Sequence, residues 1–202
     1  MDDNAFPVLI VVGIVLVMVL AIVFAVWRGR ARTQAWEEFA AQSGLSYERG
    51  KFMRRPAISG TYRSHELRMD TFTRSSGESS TTYTQVVLSV SNPGGMQLEL
   101  APENVFNKVG RALGMQDIET GDAELDGRYI IKGQPESAVL RVLMQINLRQ
   151  KLLEAKHFHV KLRDNTLRYE RQGVESNPEA LKSLFDLLSD LADSLEKQGQ
   201  SL

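Results

Sequence analysis

The chain has 202 residues and a mass of 22.6 kDa, the size of one domain with an appended segment or of two small domains. Its 24 Lys and Arg stand against 25 Asp and Glu, which excludes a whole-chain electrostatic affinity for nucleic acid and a solvating acidic tail. With no cysteine there is no disulfide framework, no thiolate nucleophile and no cysteine zinc site.

Mean hydropathy is −0.22 although the first 27 residues are almost wholly apolar, so the remainder is distinctly polar. Residues 4–27 carry no charge, and residues 6–27 are apolar but for Pro7 and Gly13. As a helix this run would be about 33 Å long, enough for a hydrocarbon core of about 30 Å. It therefore predicts a transmembrane helix over 6–27. A cleaved signal peptide fits less well, because the start is acidic (Asp2, Asp3), the run is long, and no small-x-small site follows.

Arg28, Arg30 and Arg32 follow the run, with no basic residue before it. The positive-inside rule then predicts a single-pass cell-membrane protein with its N-terminus outside and residues 28–202 in the cytoplasm. The same three arginines are the candidate lipid-contact residues, against the alternative of a plain stop-transfer flank. No proline interrupts residues 28–44, where Trp36, Phe39 and Ala40 recur at helical spacing and Gly44 supplies a stop. This segment is expected to be a juxtamembrane helix, and residues 45–202 a soluble α+β domain.

Residues 57–63 and 66–73 read as two strands around a bend at Ser64-His65. Residues 74–82 hold no apolar side chain and predict a mobile hairpin loop. Residues 83–91 form a third strand, and Asn92-Pro93-Gly94-Gly95 reads as a turn into a return strand over 96–100. A short helix opened by Pro102 (Val105, Phe106, Val109, Leu113) is expected to end at Gly114. A strand over 128–132 follows, then a long helix from Pro135 to about Ala155 with apolar residues on more than one face. Residues 156–163 and 166–171 predict a hairpin around Asp164-Asn165. The last helix has Asn177 as N-cap, Pro178 at its first position, and Leu181, Leu184, Phe185, Leu188, Leu191, Ala192 and Leu195 as its stripe; Leu187 is expected to stay exposed. Strands grouped between helices argue for an α+β fold of mostly antiparallel strands packed with helices, preceded by the transmembrane helix.

The acidic segment 117–126 is the most distinctive chemical feature. Asp122, Glu124 and Asp126 occupy positions 1, 3 and 5 of a calcium-loop spacing with Gly127 at 6, and Asp117 lies just upstream. Position 12 is Gly133 instead of a bidentate Glu, so the pattern also reads as a helix-to-strand turn whose carboxylates bond backbone N–H groups. His157 and His159 share one face of a predicted strand with Lys161 and Arg163. Those cations oppose a metal there and favour a solvated face. His65 has no partner near it in sequence. No nucleophile elbow, phosphate loop, dinucleotide fingerprint or His-Glu-x-x-His motif occurs, and no cofactor is indicated.

Trp36, Phe39, Ala40, Gly44 and Leu45, then Arg55-Pro56 before Gly60 and Tyr62, then Asp117-Ile118, Thr120-Gly121-Asp122, Asp126 and Gly133 recur as a set. In that set the chain resembles uncharacterised prokaryotic membrane-anchored proteins of a domain-of-unknown-function type, over most of residues 33–150. The resemblance implies a single-pass bacterial or archaeal membrane protein and supplies no catalytic residue. Together these readings predict a membrane-anchored, non-enzymatic module that binds a protein partner or the lipid bilayer and not nucleic acid. The alternative is a membrane-tethered, divalent-cation-dependent enzyme or sensor built on Asp117, Asp122, Glu124 and Asp126.

Overall fold

The apolar N-terminal run does fold as helix. In the computed structural model, which describes residues 5–50, 55–77, 79–103, 117–155 and 157–199, helix α1 runs unbroken over Ala5–Ser43. Gly44 at φ +69° turns the chain out of it, and the Leu45 N–H closes the end by donating to the Ala40 carbonyl at 2.9 Å. Side chains of α1 are described at 12–21, 23, 24 and from 33 onward.

The expected transmembrane helix over 6–27 requires correction. Among the described residues no helix is long and apolar enough to cross a membrane. Helix α1 continues beyond the expected span, and its C-terminal end belongs to the folded domain. Ala35, Trp36, Phe39 and Ala40 are buried there, and the Trp36 indole Nε1 donates to the Glu175 carbonyl at 2.8 Å. Of the helix expected from Pro102 to Gly114, residues 104–114 lie outside the described residues.

Eight strands form one sheet: β1 Ser46–Glu48, β2 Ala57–Tyr62, β3 His65–Ser76, β4 Ser79–Ser89, β5 Gln97–Pro102, β6 Tyr129–Gln134, β7 Val160–Arg163 and β8 Thr166–Gln172. Their order is β1-β2-β3-β4-β8-β7-β5-β6, and every pairing is antiparallel. The α+β class and the antiparallel pairing expected from the sequence are both present. Period-two alternation builds the core directly. Ile58, Met69, Val86, Tyr169, Val160, Leu100 and Ile131 stand opposite one another across seven strands, and all are buried. The next row holds Leu67, Leu88, Leu167, Leu162 and Leu98 and ends at Gly133. A Cβ there would lie 2.5 Å from the Gln97 carbonyl oxygen and 2.7 Å from Val139 Cγ2, so the missing side chain is what lets a helix approach.

That helix is α3, Glu136–Leu143; the other helices are α2 Ala123–Asp126, α4 Ile146–Glu154 and α5 Pro178–Gly199. The single helix expected over 135–155 is two. Gln145 is extended at φ −64°, ψ 124°, so the chain bends and each piece buries its own stripe: Ala138, Val139, Val142 and Leu143 in α3, Leu148 and Leu152 in α4. The apparent breadth of the apolar face was two narrow faces read as one. Helix α5 is central to this layer and is in contact with α1, α3 and α4. Its Asn177 side chain accepts from the Glu179 and Ala180 N–H groups at 2.8 and 3.2 Å, as an N-cap does.

Two further expectations change. Residues 74–82 are largely strand: β3 and β4 stay paired out to Ser76 and Ser79, and the hairpin projects as a two-stranded arm. Backbone pairing needs no apolar side chain, which is why the polar composition misled. Residues 97–102 do not return alongside β4, because the β7–β8 hairpin lies between them. The buried Asn92 side chain fixes this crossing. Its Nδ2 donates to the Met96 carbonyl at 2.9 Å and the Asp164 carbonyl at 2.7 Å, and its Oδ1 accepts from the Met96 N–H at 3.0 Å.

Candidate functional site

The acidic segment is a knot of structural bonds. Asp122 caps α2 by accepting from the Glu124 and Leu125 N–H groups at 3.0 and 3.1 Å, and its other oxygen takes the Arg149 guanidinium from α4. The Arg149 hydrogen bond, followed by those backbone donors, holds the Asp122 carboxyl down at about 2. Asp126 turns back to accept from the Thr120 N–H and hydroxyl at 2.9 and 2.7 Å and from the Gly121 N–H at 3.1 Å. Glu124 lies 3.5 Å from Arg149, and Asp117 pairs with Lys132 at 3.1 Å. Among the described residues no group of three or more His, Cys, Asp or Glu is placed to hold a metal ion. The arrangement ties α2 to α4 and β6 and leaves little lone-pair capacity free.

The histidines fall in three different settings. His157 is exposed at φ +55°, outside β7. His159 is buried, with Nε2 3.5 Å from Glu99 Oε1, rather than on a wet face. Lys161 reaches the same Glu99 oxygen at 2.8 Å. Burial pushes the Glu99 carboxyl up, but the neighbouring His159 and Lys161 outweigh it and leave the group below the ordinary value. His65 opens β3 and is buried against α5, with Nε2 2.9 Å from Asp193 and Nδ1 3.7 Å from Glu196. Sequence reasoning missed both contacts, because the partners lie more than a hundred residues away. Of the candidate lipid-contact residues, the side chains of Arg28, Arg30 and Arg32 lie outside the described residues.

The acidic side of α5 is likewise committed. The Tyr62 hydroxyl donates to Asp186 at 2.7 Å, Lys182 donates to the same carboxylate at 2.8 Å, and Arg63 donates to Asp190 at 2.9 Å. Lys151 from α4 also reaches Asp190. Burial would raise the Asp186 carboxyl, yet the bonds from Lys182 and Tyr62 hold it below the ordinary value.

Two features remain that these bonds do not use. The first is the surface of α1. Its ten large apolar side chains from Val12 to Phe24 are half-exposed or more, between 50% and 65%, and no polar residue interrupts them. The second is a cavity of about 560 Å³ at one side of α5, between that helix, the end of α4 and strands β4 and β8. Its apolar walls include Phe158, Tyr169, Leu184 and Leu187, the two rings tilted 35° with centroids 5.5 Å apart. Leu187 is thus buried, not exposed. At the mouth the Arg171 guanidinium donates to Glu175 at 2.7 Å, and Glu175 also accepts from the Ser176 and Asn177 N–H groups.

No family model matches the chain, and no curated protein matches it. Among solved structures, the fold is similar to the crystal structure of the mycobacterial trehalose monomycolate transport factor A, TtfA, with a TM-score of 0.56 at 13% identity. The match covers 82% of this chain and 95% of that one. At that identity the likeness is one of fold.

Proposed function

We propose that this protein is a non-catalytic accessory module that associates with lipid through the apolar half of α1 and holds its sheet domain beside the lipid surface. The observation that carries this reading is the apolar surface of α1 between Val12 and Phe24. Covering ten half-exposed side chains of this kind is worth on the order of 10 kcal/mol, at roughly 1 kcal/mol for each half-buried chain. A helix apolar on every side is covered all round by a lipid phase or by a protein that encloses it. The fold shared with a trehalose monomycolate transport factor supports the first. The second is an outcome of the test. Binding rather than catalysis is supported by the charged groups themselves: the acids, bases and histidines that chemistry would need are largely tied to structural partners.

The test is flotation of the full chain with phosphatidylglycerol–phosphatidylethanolamine vesicles, beside a Val15→Asp/Val19→Asp variant. The full chain should float, and should still do so in high salt, since apolar contact is not screened as headgroup contact is. The variant should stay at the bottom with its near-ultraviolet circular dichroism unchanged. Equal flotation of both proteins, or loss of flotation in salt, would overturn the reading; a full chain that stays down in a stable complex with a protein would replace lipid by an enclosing partner.

A further inference from the structure

We propose that the cavity beside α5 binds a single-chain amphiphile with an uncharged, hydroxyl-bearing head. Its volume of about 560 Å³ lies within the range of about 300–1,000 Å³ usual for small-molecule sites. Helix α5 reveals the purpose of the space in its own sequence. One stripe (Leu181, Phe185, Leu188, Ala192) is buried in the core, while a second stripe, Ala180, Ser183, Leu184 and Leu187 at the same helical spacing, lines the cavity. Facing it are Phe158 and Tyr169, so a hydrocarbon chain would meet aliphatic groups on one side and rings on the other.

The electrostatics select the head. Both cations that line the cavity are already neutralised, Arg171 by Glu175 and Lys151 by Asp190. Asp186 is closed by Lys182 and by the Tyr62 hydroxyl. A carboxylate or phosphate head would have to open one of these pairs and strand its partner, and the Glu154 carboxylate also lines the cavity, adding repulsion. An uncharged head opens no ion pair, and two hydroxyl-bearing residues, Ser183 and Tyr169, belong to the lining, the Tyr169 phenol beside Arg171. Burial drives that phenol up to about 12, so it remains a donor at any physiological pH. The cavity is a different surface from α1, and its ligand stands or falls separately from lipid association there.

The experiment uses the full chain in phosphatidylcholine nanodiscs and a 1-monoacylglycerol carrying a terminal diazirine, with crosslinks mapped by peptide. Crosslinks are expected in the peptides that line the cavity as well as along α1. Unlabelled monoacylglycerol should displace the cavity crosslink with a potency that rises about fourfold per methylene between about eight and about ten carbons. A fatty acid of equal length should compete at least about tenfold less well, the cost of opening one ion pair in the lining. Ser183→Trp, at an exposed helix position, should block the cavity and abolish its crosslink while leaving that on α1. Crosslinks confined to α1, equal competition by the fatty acid, or a Ser183→Trp protein that labels like the parent would each overturn the proposal.

Discussion

The docking of α1 onto α5 decides whether the apolar N-terminal half of the helix is rigidly coupled to the sheet domain, and one ring pair tests it. Phe39 and Phe185 are both buried, with centroids 4.8 Å apart in an edge-to-face arrangement, and Tyr62 meets Phe185 edge-on at 5.6 Å. Truncating Phe185 to Ala should cost about 4 kcal/mol, the transfer free energy of the ring plus the cavity left behind. That is a large share of the about 5–15 kcal/mol that holds a domain together, so the coupling is better read from milder changes. Phe39→Leu, Phe185→Leu and the double variant form a cycle in which each single change should cost about 1–2 kcal/mol. The pair should show a coupling of about 0.5–1.5 kcal/mol beyond additivity. Urea unfolding of the full chain, in non-ionic detergent to cover α1, gives all four values from circular dichroism and tryptophan fluorescence. A coupling below about 0.3 kcal/mol, with additive single losses, would mean that α1 does not dock ring to ring on α5.

Asp122→Asn should lower stability at neutral pH and flatten the acid side of the stability profile. The folded carboxyl sits at about 2 against an ordinary 3.8, so its contribution is whole above about pH 4 and is lost as pH falls toward 2. A variant whose urea midpoint drops over that window as steeply as the parent's would sink this account of the knot. Gly133→Ala should destabilise by at least about 1–3 kcal/mol, because the new methyl has backbone carbonyl on one side and Val139 on the other; a thermal midpoint within error of the parent would show that α3 can give way. Asn92→Ala removes three hydrogen bonds at a buried crossing and should cost about 2–3 kcal/mol in chemical denaturation, with a loss below about 0.5 kcal/mol contradicting its role as the pin. Tyr62→Phe deletes the donor to Asp186 and should cost about 2 kcal/mol. Burial and the Asp186 bond raise the Tyr62 hydroxyl to about 12, so that loss should be constant from pH 6 to 9, and a loss that varied with pH there would point elsewhere.

Short-range chemistry is the part of the fold that could be read from the sequence. Asn177-Pro178 before an apolar stripe specifies a capped helix, and Asp164-Asn165 between two alternating runs specifies a hairpin. The period-two pattern also put Val86, Leu88 and Val90 on one face. Strand order was not legible, because alternation tells a strand which face is buried and not which neighbour it has. Leu88 meets Leu167, and Leu98 meets Leu162, across separations of 79 and 64 residues. The same limit hid the partners of His65 and that of Asp122 in the acidic segment, Arg149, which lies on another helix. The membrane span expected over 6–27 is overturned by the structure, in which no helix among the described residues is long and apolar enough to cross. The cavity left one trace in the sequence, Leu187 beside the expected stripe of α5, which read as exposed and lines the cavity instead.

The near balance of charge has a structural meaning that composition alone conceals. On the sheet face away from the core row, Arg68 is met by Glu48 and Asp70, Arg74 by Glu170, and Lys161 by Glu99. Around α5, Asp186, Asp190 and Asp193 are each met by Lys, Arg or His. Pairs of this kind contribute modestly when exposed, but each one formed within the chain is one less available to a ligand. Recognition built on these charges would therefore have to displace an internal partner. Among the described residues, apolar surface without that obstacle is offered by the N-terminal half of α1 and by Phe158, Leu184 and Leu187 in the cavity. The lipid reading proposed above thus rests on the pairing of these polar groups as much as on the exposure of the apolar ones.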